Sequence, residues 1–322
     1  MQKYMVNKPQ INDLIFKELI KRGYSLEGNT RIWNIADSKL WYLTPDQAQG
    51  YLDLEGSEKY NQAVSEEIGQ KLIEDRAEEI MRWADGEPIN VVDLGCGDGK
   101  KAAELIKKFN NKLKVRYCPI DISSYMVQKA IETFSKEDIA EIVDFQYNIS
   151  DFENLDNIMP MLKIKDYKKS LILLLGNTLG NFEINELLYE IRSSMTGNDM
   201  LLIDTAIEDE KVMERTALHS ENEALNNFFK QMPLQLGLTD EDIEYNARFK
   251  NHRVEFFYTI KEDKTIEFNN RNVVFHKGDQ IIVAVAYKHN EEDLKSYLDI
   301  YFNSVKTFFS KDRSKVIALC KK

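Results

Sequence analysis

Residues 91–100 read VVDLGCGDGK. Gly95, Gly97 and Gly99 stand within five positions of a chain that has 14 glycines in 322 residues. They follow a short apolar run that contains Asp93, and a helical pattern comes directly after them. Glycines at such a place let the backbone turn sharply and approach a ligand without an intervening Cβ. The stretch therefore predicts a strand, a ligand-binding loop and a helix.

The pattern around this loop continues along the chain as an alternation of apolar runs and helical stretches. Continuous apolar runs that are typical of strands cover 89–94, 114–121, 141–147, 170–176 and 199–205. Helical patterns are found at 101–109, 124–134 and 185–195. Strands that are apolar throughout are expected when helices cover both faces of a sheet. The alternation predicts an α/β fold with a parallel, doubly wound sheet.

The flanking regions have a different character. On the N-terminal side, helical patterns at 9–22 and 58–83 enclose a stretch rich in Trp and Tyr. After Thr205 the chain is helical and acidic over 208–231. Period-two strands that indicate an antiparallel sheet of a separate module then follow at 253–260, 265–270 and 280–289. The last elements are a helical pattern and a predicted β-hairpin, at 291–302, 305–310 and 315–320.

The composition argues against several classes of partner. Lys and Arg total 43 and Asp and Glu total 54, so the net charge is −11. Nucleic acids and anionic membranes need clustered positive charge, so neither is expected as the main partner. No apolar run approaches the ~20 residues of a membrane span, and the N-terminus lacks the pattern of a signal peptide. We therefore expect a cytoplasmic protein.

Neither the cysteines nor the histidines have the spacing of metal ligands. The cysteines are odd in number and match no zinc or redox motif; they are Cys96, Cys118 and Cys320. The histidines are equally scattered, at positions 219, 252, 276 and 289. We expect reduced thiols and no metal site.

The glycine loop has the chemistry of a site for a cation. Its G-x-G-x-G spacing brings the third glycine one position earlier than in the dinucleotide fingerprint G-x-G-x-x-G, whose helix N-terminus binds a pyrophosphate. Asp98 lies inside the loop and Asp93 lies at the end of the strand before it. Carboxylates oppose a pyrophosphate and suit a positively charged ligand.

The stretch DLGCGDGK resembles the first motif of the class I S-adenosylmethionine-dependent methyltransferases. The ligand of that family carries a sulfonium and an α-ammonium group, which suits acidic residues in the loop. The resemblance implies S-adenosylmethionine as the cofactor. It also implies cofactor contacts from the loop residues Asp93, Gly95, Gly97, Asp98 and Gly99.

Two later stretches have the positions of further cofactor ligands. Asp121 ends the second predicted strand, where doubly wound folds place a carboxylate that accepts the ribose hydroxyls. A helix cap at this place is the alternative, which Ser123 or Ser124 would fit equally well, and Ser123 is a further candidate cofactor contact. After the third strand, the family typically has an acid–aromatic pair at the adenine, and Asp151 and Phe152 match it.

LLLGNTLGNF (173–182) is a second distinctive stretch. Gly176 and Gly180 permit a bend at the end of the fourth strand, where a methyl acceptor would meet the cofactor. The stretch is similar to the G-[ST]-x-G-N-F motif of the histidine-specific methyltransferases of the ergothioneine pathway. The Asn of that motif binds the amino-acid substrate, and it corresponds to Asn181. Gly176 is expected beside the cofactor.

Two more stretches resemble that family. GYLDLEGSEKY (50–60) is similar to its Tyr-Asp-x-x-Gly-Ser segment, which makes Tyr51 a candidate substrate contact. RVEFFY (253–258) is similar to its Ile-Glu-Met strand, which makes Glu255 a candidate ligand of the substrate side chain. Two tracts that contribute to histidine recognition differ, since this chain has NQAVSEEIGQK from residue 61 and RTALHSE from residue 215.

The resemblance implies a seven-stranded, Rossmann-like methyltransferase sheet that ends in a β-hairpin, with a smaller α+β substrate domain. We expect an N-terminal helical segment that joins the substrate domain (1–64) and a cofactor-binding core (65–205). An inserted α+β substrate domain (206–288) and a C-terminal helix and hairpin that complete the core (289–322) follow.

The sequence thus predicts a methyltransferase that acts on an amine nitrogen of a small molecule, such as histidine or a derivative. Asn181, Tyr51 and Glu255 are the candidate catalytic residues. A protein N-methyltransferase, a non-catalytic S-adenosylmethionine-binding protein and an aminopropyl transferase are the alternatives. Nucleic-acid amino-methylation is disfavoured because no basic stripe is evident.

Overall fold

A computed structural model describes residues 11–57, 60, 66–110, 112–208 and 211–322. The chain forms two compact units. The smaller unit comprises Met1–Ser57 and Val212–Ala286, and the larger unit comprises Glu58–Lys211 and Tyr287–Lys322. The expected boundary between residues 64 and 65 lies outside the described residues.

The strands of the described chain, numbered in chain order, are β1 (Tyr24–Glu27), β2 (Thr30–Asn34), β3 (Ile89–Leu94), β4 (Val115–Ile120), β5 (Glu141–Ile142), β6 (Lys169–Leu174), β7 (Met200–Ala206), β8 (Ile243–Lys250), β9 (Arg253–Ile260), β10 (Lys264–Phe268), β11 (Arg271–Phe275), β12 (Gln280–Tyr287), β13 (Ser304–Phe309) and β14 (Lys315–Lys321). The α-helices of the larger unit are Glu66–Glu74, Ala77–Ala84, Lys100–Lys107, Ser124–Glu137, Leu155–Leu162, Ile184–Ser194 and Glu291–Tyr301. Those of the smaller unit are Asp13–Arg22, Pro45–Glu55, Val212–Ser220, Glu223–Phe229 and Gln231–Gln235. Short 3-10 helices are found at Ser38–Tyr42, Gln146–Asn148, Phe152–Asn154 and Thr178–Asn181.

The larger unit contains the predicted doubly wound sheet. Its seven strands have the order β13-β14-β7-β6-β3-β4-β5. The five strands from β7 to β5 are parallel, whereas β14 is antiparallel to β7 and β13 is antiparallel to β14. The predicted α/β fold with a terminal hairpin is therefore confirmed. The strand order reverses between β3 and β6, and ligands of such sheets bind at the carboxyl ends of the strands beside this reversal.

Helices cover both faces of this sheet because its strands are apolar on both sides. All six residues of β3 are buried. Val92 and Leu94 lie in one core cluster, which also contains the apolar faces of helices Leu155–Leu162 and Ile184–Ser194. Val91 lies in the opposite cluster, with buried residues of helices Lys100–Lys107 and Ser124–Glu137.

The strand predicted over 141–147 is much shorter, since β5 covers Glu141–Ile142. Asn148 is the physical reason, because its side chain takes over backbone hydrogen bonds. Its Oδ1 accepts from Phe145 N at 2.5 Å, and its Nδ2 donates to Pro119 O at 2.7 Å and to Val143 O at 3.0 Å. Such side chains compete with a strand ladder.

Two predicted helical stretches are also interrupted. The pattern over 58–83 is split between Glu66–Glu74 and Ala77–Ala84 within the described residues. The pattern over 208–231 is split at Asn222, whose side chain accepts a hydrogen bond from Leu225 N at 3.1 Å and so caps a new helix.

The smaller unit contains a mixed sheet, where a purely antiparallel one was expected. The order is β1-β2-β12-β9-β8, and β10 and β11 form a separate two-stranded sheet. The N-terminal strand β2 pairs in parallel with β12, while β8 and β9 are antiparallel. The prediction missed β1, β2, β8 and β11. Because β2 pairs with β12, residues from the N-terminal part of the chain belong to this sheet.

Candidate functional site

The predicted loop follows β3 in the larger unit and has three glycines in the left-handed region. The φ angles of Gly95, Gly97 and Gly99 are 67°, 53° and 74°. A Cβ added at Gly99 would lie 3.1 Å from Ala130, so this glycine permits close packing on helix Ser124–Glu137. A Cβ at Gly97 would meet no atom within 4 Å among the described residues, so open space adjoins the middle of the loop. The third glycine packs against the fold, whereas the second leaves room for a ligand.

Asp93 lies beneath this loop and is nearly inaccessible, with 3% of its surface exposed. Its Oδ2 accepts a hydrogen bond of 2.8 Å from the Tyr117 hydroxyl. Burial raises the pKa of Asp93 to about 7, while the Tyr117 hydrogen bond and the charge of Lys101 act in the lowering direction. The end of β3 thus holds a carboxyl group whose ionised form is destabilised by burial.

Asp121 ties the loop to the end of β4. Its carboxylate accepts hydrogen bonds from Ser123 N at 2.9 Å and from Gly97 N at 3.4 Å. Burial raises the pKa of Asp121 to about 6, against the lowering effect of the backbone amides that bond to it. The cap of helix Ser124–Glu137 is Ser123, whose hydroxyl accepts from Met126 N at 3.4 Å. Asp121 is therefore not the helix cap.

Asp98 is engaged locally. Its Oδ1 accepts a hydrogen bond from Lys100 N at 3.1 Å, and its Oδ2 lies 2.5 Å from Lys100 Nζ. The carboxylate therefore stabilises the start of helix Lys100–Lys107, where the helix dipole favours negative charge.

The acid–aromatic pair stands at the start of a 3-10 helix. Asp151 caps the 3-10 helix Phe152–Asn154. The Phe152 ring packs against Phe182, with centroids 5.3 Å apart, and a Cβ at Gly95 would lie 3.8 Å from its Cζ. Phe152 therefore adjoins the first glycine of the loop.

The loop after β6 is held to the end of β7 by three hydrogen bonds. Gly176 N donates to Asp204 Oδ2 at 3.2 Å. The side-chain Oδ1 of Asn177 accepts from Ala206 N at 2.9 Å and from Thr205 Oγ1 at 3.1 Å. Asn177 is therefore a structural residue of this loop.

Asn181 differs from the other polar residues of this loop. The Thr178 hydroxyl donates to Leu175 O at 2.6 Å and is satisfied within the loop. Among the described residues, no protein group forms a hydrogen bond with the Asn181 side-chain amide. Its half-buried amide thus has its donor and acceptor atoms available at the carboxyl end of the sheet.

Sequence reasoning missed a buried ion pair below this loop. Lys315 Nζ lies 3.5 Å from Asp204 Oδ2, and the two side chains are 1% and 2% exposed. Gly69 packs directly on the pair, since its Cβ would lie 3.2 Å from Lys315 Nζ. The signal was visible as Asp204 and Lys315, charged residues in the apolar runs DMLLIDT and KVIALC.

Tyr51 lies in an aromatic cluster of the smaller unit. Its ring packs on Tyr42 and Phe228, with centroids 5.5 and 5.7 Å away. Its hydroxyl donates to Glu55 Oε1 at 3.3 Å. Aromatic packing fixes the position of the ring, and the hydroxyl is hydrogen-bonded to the Glu55 carboxylate.

Glu255 lies in the same unit and is 1% exposed, so it is a buried carboxylate. Its Oε2 accepts from Arg248 Nε at 2.7 Å, and its Oε1 accepts from Arg253 at 2.5 and 2.8 Å. Arg248 also stacks on Phe257, with Cζ 4.6 Å from the ring centroid. Two guanidinium groups therefore neutralise this carboxylate.

The described residues contain neither a cluster of metal ligands nor a membrane-spanning helix. No group of three or more His, Cys, Asp or Glu side chains there could hold a metal ion. No helix in the described ranges is long and apolar enough to cross a membrane.

The cradle around β3 and β4 fits a cationic nucleoside. Asp93 and Asp121 are two buried carboxyl groups with raised pKa values, and a cation nearby would favour their charged forms. Glycine at position 97 leaves open space in the loop, and its amide contacts the Asp121 carboxylate.

Comparison with solved structures gives similar chains at low identity. An S-adenosylmethionine-dependent methyltransferase from Clostridium acetobutylicum ATCC 824 is 13% identical, with a TM-score of 0.44, and the match covers 81% of this chain and 95% of that one. Magnesium protoporphyrin IX methyltransferase from Synechocystis PCC 6803, crystallised with bound SAH, is 14% identical, with a TM-score of 0.44 and coverage of 85% and 93%.

A comparison with curated protein sequences found no match. The model of one protein family, described as histidine-specific methyltransferase, SAM-dependent, matches residues 53–322. This match covers most of the chain and includes the glycine loop, the Asn181 loop and the terminal hairpin. The protein is thus an enzyme whose cofactor is S-adenosylmethionine, and it belongs to the family of SAM-dependent, histidine-specific methyltransferases.

Proposed function

We propose that the protein transfers a methyl group from S-adenosylmethionine to an amine nitrogen of a small molecule, namely an amino acid such as histidine or a derivative of it. The observation that carries this proposal is the available amide of Asn181 on a loop whose other polar groups are engaged. The family description supports an amino-acid acceptor.

The cofactor residues are proposed by position. Asp121 would accept the ribose hydroxyls, Phe152 would cover the adenine, and Gly97 would allow close approach of the loop backbone. Asp93 would provide negative charge near the cationic end of the nucleoside. The bound cofactor supplies an electrophilic methyl group on a sulfonium.

The protein's own contribution is alignment. Methyl transfer is an in-line displacement, and positioning of the two reactants alone can supply ~7–11 kcal/mol. The acceptor amine must be neutral, since an ammonium has no lone pair. The Asn181 Oδ1 can accept a hydrogen bond from that amine and so direct its lone pair. No strong general base is needed when water takes the released proton.

We propose that the smaller unit is the substrate domain, because both Tyr51 and Glu255 belong to it. The Tyr51 hydroxyl would hold the amine or a neighbouring carboxylate of the acceptor. Glu255 would bind a donor of the acceptor side chain in exchange for a contact with one of its two arginines, since the carboxylate is buried and both of its oxygens are already bound.

Release of S-adenosylhomocysteine tests this function. The purified protein is given S-adenosylmethionine with histidine, its N-methylated derivatives, other amino acids, and peptides that have blocked termini. We expect release with a free amino acid and none with the blocked peptides. Release with peptides alone would support a protein N-methyltransferase, and binding without any release would support the non-catalytic alternative.

A further inference from the structure

The Tyr117 hydroxyl is held against Asp93, a residue of the proposed cofactor site. Tyr117 is fully buried in β4, and its hydroxyl donates to Asp93 Oδ2 at 2.8 Å. Its ring stacks on Phe134, with centroids 3.6 Å apart and planes 9° from parallel. Gly99 closes the other side, since a Cβ there would lie 3.2 Å from the Tyr117 hydroxyl. The stacked ring and the close approach of Gly99 therefore hold the hydroxyl against Asp93.

The polarity of this contact is defined. Burial raises the pKa of Tyr117 well above its usual value, so its hydroxyl keeps its proton and acts as a donor. A carboxylate accepts such a bond in its ionised form, so the contact favours charge on Asp93. Burial opposes that charge and raises the pKa of Asp93 to about 7. The charge of Lys101 lowers the pKa of Asp93, whereas those of Asp121 and Asp98 raise it. The charge of Asp93 in turn raises the pKa of the neighbouring thiols of Cys96 and Cys118.

We propose that Tyr117 is a positioning residue of the cofactor site, whose hydroxyl keeps Asp93 ionised and oriented beneath the glycine loop and so sets the lowest pH at which the cationic cofactor binds well. This inference rests on the proposed role of Asp93 in cofactor binding and is independent of the acceptor's identity. No sequence pattern assigned a role to Tyr117, which reads as a core residue in an apolar strand.

The direction of the pH effect follows from the charges. The cation favours ionised Asp93, so cofactor affinity is expected to fall as pH drops through about 7. In Tyr117→Phe the carboxylate loses its donor, and the midpoint of this change should rise by about one pH unit or more. The variant then binds several-fold more weakly than the wild type at pH 7 and regains affinity at higher pH.

The test is calorimetric titration with S-adenosylmethionine from about pH 5.5 to about pH 8.5. The variants are Tyr117→Phe, Asp93→Asn and a matched control, Tyr167→Phe. Tyr167 is also a buried tyrosine of the larger unit whose hydroxyl donates to a carboxylate, that of Glu141 at 3.1 Å, but it lies before β6, at the amino end of the sheet. Circular dichroism checks that each variant is folded.

We expect the midpoint near pH 7 in the wild type and in Tyr167→Phe, a raised midpoint in Tyr117→Phe, and no such step in Asp93→Asn. A lower step from Asp121, whose pKa is about 6, remains in all four proteins. An unshifted midpoint in Tyr117→Phe, or equal weakening at every pH, overturns the inference. If Asp93→Asn keeps both the wild-type affinity and the step near pH 7, the proposed role of Asp93 fails as well, and this result needs no folded Tyr117→Phe protein.

Discussion

Gly180 tests the proposal that the loop after β6 positions Asn181. It lies in the 3-10 helix Thr178–Asn181. In Gly180→Ala, the new methyl group would lie 2.9 Å from Asn177 Nδ2 and 3.1 Å from the backbone oxygen of Tyr287. The Asn177 side chain cannot simply move away, because its Oδ1 is held by Ala206 N and the Thr205 hydroxyl. The substitution therefore displaces the loop or breaks these bonds.

The size of the effect follows from the two contacts. Overpacking of this kind costs about 1–3 kcal/mol of the free energy of unfolding. The lower backbone entropy of alanine in the unfolded chain offsets only about 0.4–1 kcal/mol of that loss. A displacement of Asn181 by about 1 Å would lower turnover ~100-fold, because much of the rate acceleration comes from alignment of the two reactants. Affinity for S-adenosylmethionine should change little, since the β3 loop is untouched.

Two assays and one control variant measure this. Urea unfolding gives the stability, and release of S-adenosylhomocysteine gives turnover with the best acceptor found. Gly197→Ala is the control: its Cβ would meet no described atom within 4 Å, and its φ is negative or extended. We expect it to be active and slightly more stable than the wild type. Wild-type stability and turnover in Gly180→Ala would refute the argument for this loop.

The remaining predictions concern three other residues. Asp121→Ala should weaken S-adenosylmethionine binding by about 1–3 kcal/mol in calorimetry, as for a lost charged hydrogen-bond partner; unchanged affinity would mean that the ribose binds elsewhere. Asn181→Ala should lower turnover while cofactor affinity stays nearly constant, and equal loss of both would point to a folding role. Lys315→Met leaves Asp204 buried without its cation, so urea unfolding should show a loss of about 3–5 kcal/mol, and no loss would mean that the ion pair adds nothing.

The main features of the larger unit's sheet could be predicted because its strands are apolar on both faces. The predicted strand 89–94 coincides with β3, and the terminal hairpin was placed within one residue at each strand end. The same pattern overextended β5, because one polar side chain, Asn148, captured the backbone groups of Phe145 and Val143.

Some residues of the candidate site could likewise be predicted from the sequence, and others could not. Loop residues could be found from glycine spacing, since a turn into a helix is a local feature of the chain. The partner of Asp93 could not be found, because Tyr117 meets it only through the register of β3 against β4. The roles of Asn177 and Asn181 could not be separated either, since the contacts of Asn177 come from β7. The arginines on Glu255 depend in part on β8, which was not predicted.

A crystal structure of the protein with S-adenosylhomocysteine is the most direct test of the central claim, that the carboxylates around the β3 loop bind the cofactor. We predict that the ribose hydroxyls bind the Asp121 carboxylate and that the sulfur points to the loop between Gly176 and Asn181. Density for the nucleoside at any other place, with the space beside Gly97 filled by solvent alone, would contradict the claim.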